Sequence, residues 1–359
     1  MRIRSARSAP LPALLLAAAL AAPAAAQSSA NDSGPRLRLP VEEIALGARV
    51  QTLFSTSSVD SVQPADVTMR RVYLEASVKV NAFVGGKLQM DFAGDRAVVR
   101  DAYLRLNVSP GLQLLAGNAY KPFSLIALTS DTRILPIERG ALIRGAAPLD
   151  EYNLLSGLQY TERDLGLQVL GSPTGAPLGF GYAVGAFRGP LGGSVGDQSP
   201  VSLAARATVE PLQALRFGAA WSSRDFRARS GDALQRGHAF ELDAEYGDYG
   251  VPGLHLVGEL ATGDFSSADE RRFTAAQAWL GYRTPRLSRA LHAVEPTFRL
   301  SVGDVDAGAP ANVGTLLTPG VGLYFGGLNR VSLNYDVWLP KADENDTLHS
   351  AKLMFQLAF

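Results

Sequence analysis

The sequence predicts an all-β chain that crosses a membrane as a closed antiparallel barrel of about sixteen strands, and three observations carry that expectation. Apolar and polar side chains alternate with period two in segment after segment. Glycine, present 36 times, and short turn signals punctuate those segments. Mean hydropathy is +0.05, close to what strands with one lipid face and one polar face average to, whereas helical membrane proteins score high.

At the N-terminus, Arg2, Arg4 and Arg7 precede an apolar run from Leu11 to Leu20, and Ala24-Ala25-Ala26 offers a small-residue cleavage site. Residues 1–26 therefore read as an export signal whose apolar core is short for a membrane span. A short lead-in over 27–42 and one barrel domain over 43–359 follow. Cleavage removes three arginines and no acid, which leaves a slightly negative chain and excludes the basic balance of a nucleic-acid binder. The chain has no cysteine, so no disulfide staples it even in an oxidising compartment. The expected location is the outer membrane of a Gram-negative-type bacterium, with lipid around the wall.

A transmembrane strand needs about 9–11 residues. In chain order the expected strands are 43–55, 68–83, 86–94, 98–108, 111–120, 164–171, 178–188, 200–210, 213–223, 237–247, 253–262, 273–284, 293–303, 316–326, 328–339 and 348–359. The second is the clearest. Val72, Leu74, Ala76, Val78 and Val80 make one face, and Arg71, Tyr73, Glu75, Ser77, Lys79 and Asn81 the other, a separation that a period of 3.6 would scramble. The fourth sets Leu104, Leu106 and Val108 against Arg105 and Asn107, and the ninth sets Leu215, Phe217, Ala219 and Trp221 against Arg216. In the thirteenth, Phe298, Leu300 and Val302 oppose Arg299 and Ser301, and in the fifteenth Val331, Leu333, Tyr335 and Val337 oppose Ser332, Asn334 and Asp336. Charges stay off the apolar face, where an Arg or Lys near the midplane would cost about 2–4 kcal/mol. A soluble β-sandwich also alternates, but it packs two sheets together rather than gathering charges in one lumen. Tight turns at Val84-Gly85-Gly86, Ser109-Pro110, Pro211-Leu212 and Gly326-Gly327 mostly alternate with longer links such as 224–236, 263–272 and 304–315. Periplasmic turns and extracellular loops alternate in this way. In the last strand Leu353, Phe355, Leu357 and Phe359 share a face, and the terminal Phe359 resembles the signal read by the barrel-assembly machinery.

The face assignment places Arg49, Arg71, Lys79, Lys87 and Arg105 on the lumenal side of strands one to four, with Glu75, Asp91 and Asp101 among them. Strands ten and eleven place Glu241, Asp243, Glu245 and Glu259 there, without Lys or Arg. Two readings follow: a transverse field across the lumen, basic to acidic, or a set of local ion pairs along mixed walls. The longest link without alternation runs from Lys121 to about Arg163, and irregular segments of that length are usually functional. It carries Lys121, Arg133, Arg139 and Arg144, and also Asp131, Glu138, Asp150 and Glu151. Arg139 can contact an anion or pair with a neighbouring acid to hold the link in place. His238, His255, His292 and His349 fall in no grouping with a nucleophile, so no catalytic, metal or cofactor site is expected. Only about 16 residues precede the first strand after the signal, too few for the plug of an energy-coupled receptor.

Val99-Arg100-Asp101-Ala102-Tyr103-Leu104, then Leu115-Ala116-Gly117-Asn118-Ala119-Tyr120-Lys121-Pro122-Phe123-Ser124, then Leu128-Thr129-Ser130 and Glu138-Arg139 resemble the pattern of the phosphate-selective porin O and P family. That pattern has a strand with D-A-Y, a strand ending in G-x-x-K-x-P-F, and a loop with T-S and E-R. Here Lys121 directly precedes Pro122, one residue closer than in the family. The resemblance covers residues 87–171. It implies a sixteen-stranded porin, trimeric in its assembly, whose third extracellular loop folds into the barrel and narrows it, with basic side chains on wall and loop attracting anions. Specialised members bind phosphate, but the balanced charges of the loop and the acids from Glu241 to Glu259 favour a more general pore for small polar solutes and ions.

Overall fold

Sixteen antiparallel strands close into a barrel in the computed structural model, which describes residues 41–146, 148, 150–189, 201–226, 234–265, 272–305, 314–341 and 346–359. The expected export signal and almost all of the lead-in lie outside the described residues. The strands are β1 (Glu43–Thr56), β2 (Ala65–Lys79), β3 (Val84–Asp91), β4 (Val98–Ser109), β5 (Leu112–Tyr120), β6 (Arg163–Gly171), β7 (Gly181–Phe187) and β8 (Ser202–Leu212). They continue as β9 (Leu215–Phe226), β10 (Gln235–Tyr246), β11 (Gly253–Asp264), β12 (Arg272–Arg283), β13 (Ala293–Val305), β14 (Gly314–Gly326), β15 (Asn329–Pro340) and β16 (Leu348–Ala358). Each pairs with its chain neighbour, and β1 closes on β16 from Arg49 opposite Ala358 to Ser55 opposite Lys352. Closure leaves no sheet edge, which is the condition for a β structure to sit in lipid.

Leu74, Leu88, Leu104, Leu114, Leu167, Leu242, Leu260, Leu280 and Leu333 stand exposed on one face, while their neighbours on the other are largely buried. Exposed Phe83, Phe180, Tyr246, Tyr282 and Phe325 mark one end of the apolar band, and Phe54, Phe240 and Tyr335 lie toward the other. Such girdles mark the two membrane interfaces of a barrel. The first group lies at the end that carries both the start of β1 and the end of β16, where the links between strands are short.

The first tight turn is at Val80–Phe83, not at Val84-Gly85-Gly86. The Asn81 carboxamide oxygen accepts from the backbone N–H of Phe83 and Val84, both at 2.8 Å, which folds the chain before the glycines. Gly85 and Gly86 are part of β3, and a Cβ on Gly86 would lie 2.8 Å from the Tyr103 carbonyl oxygen. Strand β2 also starts earlier than its alternation suggests, because the pairing with β1 shifts between Gln51 and Thr52. Arg70 is the extra residue of this bulge.

Between β5 and β6, residues 121–162 leave the wall and carry two short helices, α1 (Leu125–Leu128) and α2 (Glu151–Gly157). The Ser124 hydroxyl caps α1 by accepting from Ala127 N–H, and the Asp150 carboxylate caps α2 by accepting from Asn153 N–H. Phe123, Ile126, Ile134, Leu135, Ile137, Ile143, Leu154, Leu155 and Tyr160 in this segment are all buried. They pack on apolar side chains of the buried wall face: Phe273 and Val305, then Val257 and Trp279, then Leu316 and Trp338, then Leu53 and Met354. Each such burial contributes about 1.5–3 kcal/mol. The segment is a packed core, although its irregular backbone would suggest a free loop.

Candidate functional site

Wall and loop are joined by hydrogen bonds as well as by apolar contact. Ile126 N–H donates to Glu259 at 2.9 Å, Gln277 to the Arg139 carbonyl at 2.9 Å, Arg299 to the Glu138 carbonyl at 2.7 Å, and Arg330 to the Ile134 carbonyl at 2.9 Å. Ile137 N–H donates to the Asn334 side chain at 2.6 Å, and Glu151 N–H to the Ser301 hydroxyl at 3.0 Å. Because the loop backbone is irregular, these wall groups supply the partners that a helix or strand would supply itself.

A chain of buried charges runs through the contact. Lys352 reaches Glu138 at 2.5 Å and Asp336 at 2.7 Å, Asp336 also takes Arg299 at 2.9 Å, and Arg70 lies 3.5 Å from Glu138. A second group centres on Asp131, which pairs with Arg139 and, at 3.5 Å, with Arg71. Burial alone would raise the Asp131 carboxyl, but the Arg139, Arg70 and Arg71 guanidiniums hold it well below the usual carboxylate range. Arg139 also donates to the carbonyls of Ile126 and Thr129, so it is a loop-holding residue.

The space left by the loop is a cavity of about 650 Å3. Arg49, Tyr73, Glu75, Lys87, Gln89, Asp101, Tyr120 and Arg163 from β1 to β6 line one side. The loop stretch Leu128–Arg133 with Arg139 forms another, and Arg216, Glu245, Asp248, Tyr249 and His255 a third. Every carboxylate on this surface has a cationic partner: Glu75 with Lys87 at 3.2 Å, Asp101 with Arg163 at 2.5 Å, Asp131 with Arg139, Glu245 with Arg216 at 2.8 Å, and Asp248 with Arg216. Arg163 also stacks at 4.0 Å over the Tyr120 ring. Among the described residues, Arg49 and Arg133 are the cavity-lining arginines without an ion pair. Arg49 lies 5.1 Å over the ring of Tyr73, and Arg133 is exposed.

The residues singled out from sequence are thus distributed. Arg49, Arg133, Arg139 and Glu245 line the cavity. Lys79 lies at the end of β2, more than half exposed and paired with Glu42 at 2.8 Å. Lys121 is buried at the base of the loop and donates to the Gln159 carbonyl at 2.5 Å; burial lowers its ammonium to about 8. Arg144 bridges Asp60 at 3.0 Å and Asp66 at 2.9 Å on the link between β1 and β2, and Arg105 stacks 5.5 Å over Tyr103. None of these last four lines the cavity.

The acids of β10 and β11 do not form a bare wall. Arg206, from β8, takes Glu241 at 3.0 Å and Asp243 at 2.6 Å, and Arg216, from β9, stands directly opposite Glu245. Gly218 makes room for the first group, since a Cβ there would lie 2.4 Å from both Arg206 and Asp243. Glu241 and Glu259 are buried, and Glu259 accepts a loop N–H. Arg206 thus pairs locally with both Glu241 and Asp243, while Glu259 has no ion pair among the described residues. Arg70, Arg163 and Arg206 are among the cations that sequence reading of the site left out, and Arg216, placed on the polar face of the ninth strand, lacked its pairing with Glu245. The signal for Arg70 was present: Val67 and Met69 are exposed at odd positions and Leu74 at an even one, a change of phase that requires a bulge.

A model of the phosphate-selective porin O and P family matches residues 44–280. No curated protein matches the chain in sequence. Among solved structures, the outer membrane channel DcaP of Acinetobacter baumannii is similar with a TM-score of 0.62 at 14% identity, covering 88% of this chain and 97% of that one. The anion-selective porin from Comamonas acidovorans gives 0.61 at 11%, covering 88% and 99%. The trimer form of OmpT, an outer membrane protein of Vibrio cholerae, gives 0.59 at 10%, covering 88% and 99%.

Proposed function

The chain belongs to the phosphate-selective porin O and P family and forms an outer-membrane channel for passive diffusion, and within that frame we propose a narrowed pore with a weak, general preference for small anions. One observation carries the reading. All five carboxylates on the cavity surface are paired with cations, Arg216 serving two of them, while Arg49 and Arg133 have no ion pair, so six cations face five acids. That small positive excess in a confined, water-filled space raises the local anion concentration without building a tight site. The loop over 121–162 is the constriction, because its packing on the wall reduces the open cross-section to the cavity. Phosphate specificity is disfavoured because Arg139, Arg163 and Arg216, the other arginines that line the cavity, are already engaged with Asp131, Asp101 and Glu245.

The protein works as a homotrimer in this reading, supported by family membership and by the OmpT trimer form. Phe359, whose backbone pairs with Ala48 of β1, serves as the terminal signal for assembly. The test of selectivity is the reversal potential of purified protein in a planar bilayer under a potassium chloride gradient. Wild type is expected on the chloride side of zero, and R49S/R133S at or beyond zero toward potassium. Unchanged selectivity in the double variant would contradict the assignment. Adding phosphate at constant chloride is expected to give no concentration-dependent block.

A further inference from the structure

The short-link rim is nearly free of unpaired charge. The links at 80–83, 110–111, 172–180, 213–214 and 327–328 contain no Asp, Glu, Lys, Arg or His, and Asp248 in the link 247–252 is paired with Arg216. The link between β12 and β13 is different. It carries Arg286, Arg289 and His292, and among the described residues neither arginine has a carboxylate partner. It is also built rather than loose. Thr284 N–H donates to the Val294 carbonyl at 3.0 Å, Leu287 N–H to that of His292 at 3.0 Å, and Ser288 N–H to that of Leu291 at 2.9 Å, so the two strands continue as a narrow hairpin. The Ser288 hydroxyl accepts from Leu291 N–H at 2.9 Å, and the Arg286 guanidinium lies 3.2 Å from Nε2 of His292.

We propose that this hairpin binds the phosphate headgroups of anionic phospholipid in the periplasmic leaflet. Three features select that partner over a solute in the pore. Residues 285–290 are exposed, and neither Arg286 nor Arg289 lines the lumenal cavity. Tyr282, on the lipid face two residues before the hairpin and 52% exposed, fixes the level of the membrane interface there, with Phe325 at the end of β14 in the same girdle. Leu287, between the arginines and 54% exposed, offers acyl contact beside the charges. The side of the membrane follows from the short links and both barrel ends sharing this rim. Basic residues at an anionic surface attract it individually, and a preformed hairpin loses little freedom on binding.

The test is native mass spectrometry of the full, detergent-purified protein titrated with phosphatidylglycerol or with phosphatidylcholine. Wild type is expected to retain phosphatidylglycerol in preference, R286S/R289S to retain it about 10-fold less with phosphatidylcholine unchanged, and R286K/R289K to keep most of the preference. Heat-modifiable migration on gels checks that each variant is a closed barrel. Equal retention of the two lipids by wild type, or equal retention of phosphatidylglycerol by wild type and R286S/R289S, would overturn the proposal. So would displacement of the lipid by millimolar inorganic phosphate, which would mark a site for free anion instead. The single variants R286S and R289S, each expected to show an intermediate loss, provide the answer if the double variant does not close.

Discussion

Lys352 is 2% exposed and touches two carboxylates, Glu138 on the loop and Asp336 on β15. Removing Lys352 leaves Asp336 with Arg299 but Glu138 with only the Arg70 guanidinium at 3.5 Å, and an under-satisfied buried group costs about 1–3 kcal/mol. K352M is therefore expected to loosen the loop, making it cleavable by added protease where wild type resists, while the barrel persists on gels. Equal resistance would mean that the apolar contacts hold the loop alone. Single residues were legible in sequence only where the answer depends on one strand. The lumenal placement of Arg49 and Glu245 follows from alternation within β1 and β10. The pairing of Glu241 and Asp243 does not, because the one Arg206 reaches both from β8 across β9 and past Gly218. Only the cross-strand register reveals that proximity, and register is not written in either strand.

At the scale of the element, the loop depends on pH through its own buried acids. Burial raises the Asp150 carboxyl to about 6, and burial together with neighbouring Glu259 raises Glu151 above its ordinary value. A carboxyl raised in the docked state favours docking fully below its free value, and that contribution is lost as pH rises through the raised value. Loop docking is thus expected to weaken as pH rises through about 6, read as rising protease sensitivity of the loop, while strong acid removes the opposite contribution of the lowered Asp131 carboxyl. In D150N that pH dependence should flatten, and an identical pH profile in the variant would exclude Asp150 as its source. The loop's existence was legible from its length, but its footprint was not. That footprint lies in positions where strands are apolar on both faces: Leu53 beside Phe54, Trp279 beside Leu280, Trp338 beside Leu339. Alternation alone gives such pairs no meaning; they are the sites where the inner face meets protein instead of water.

For the whole molecule, sixteen strands were readable because lipid on one side and charge on the other impose period two on every one of them, and closure adds no further sequence requirement. Boundaries slipped where side-chain hydrogen bonds make the turn, as Asn81 does, or where a bulge changes phase, as at Arg70. The lipid face predicts its own test. Leu260 is 49% exposed near the middle of β11, and L260R should destabilise the barrel by about 2–4 kcal/mol in refolding titrations into lipid vesicles. A loss well below 1 kcal/mol would place that strand away from the bilayer midplane. The central claim is that this barrel is a passive pore narrowed by residues 121–162, and single-channel recording tests it most directly. The account predicts discrete, ohmic current steps for the wild-type protein and larger steps when the loop is shortened between Phe123 and Tyr160. Absence of steps at any voltage, or steps of unchanged size in the shortened protein, would contradict it.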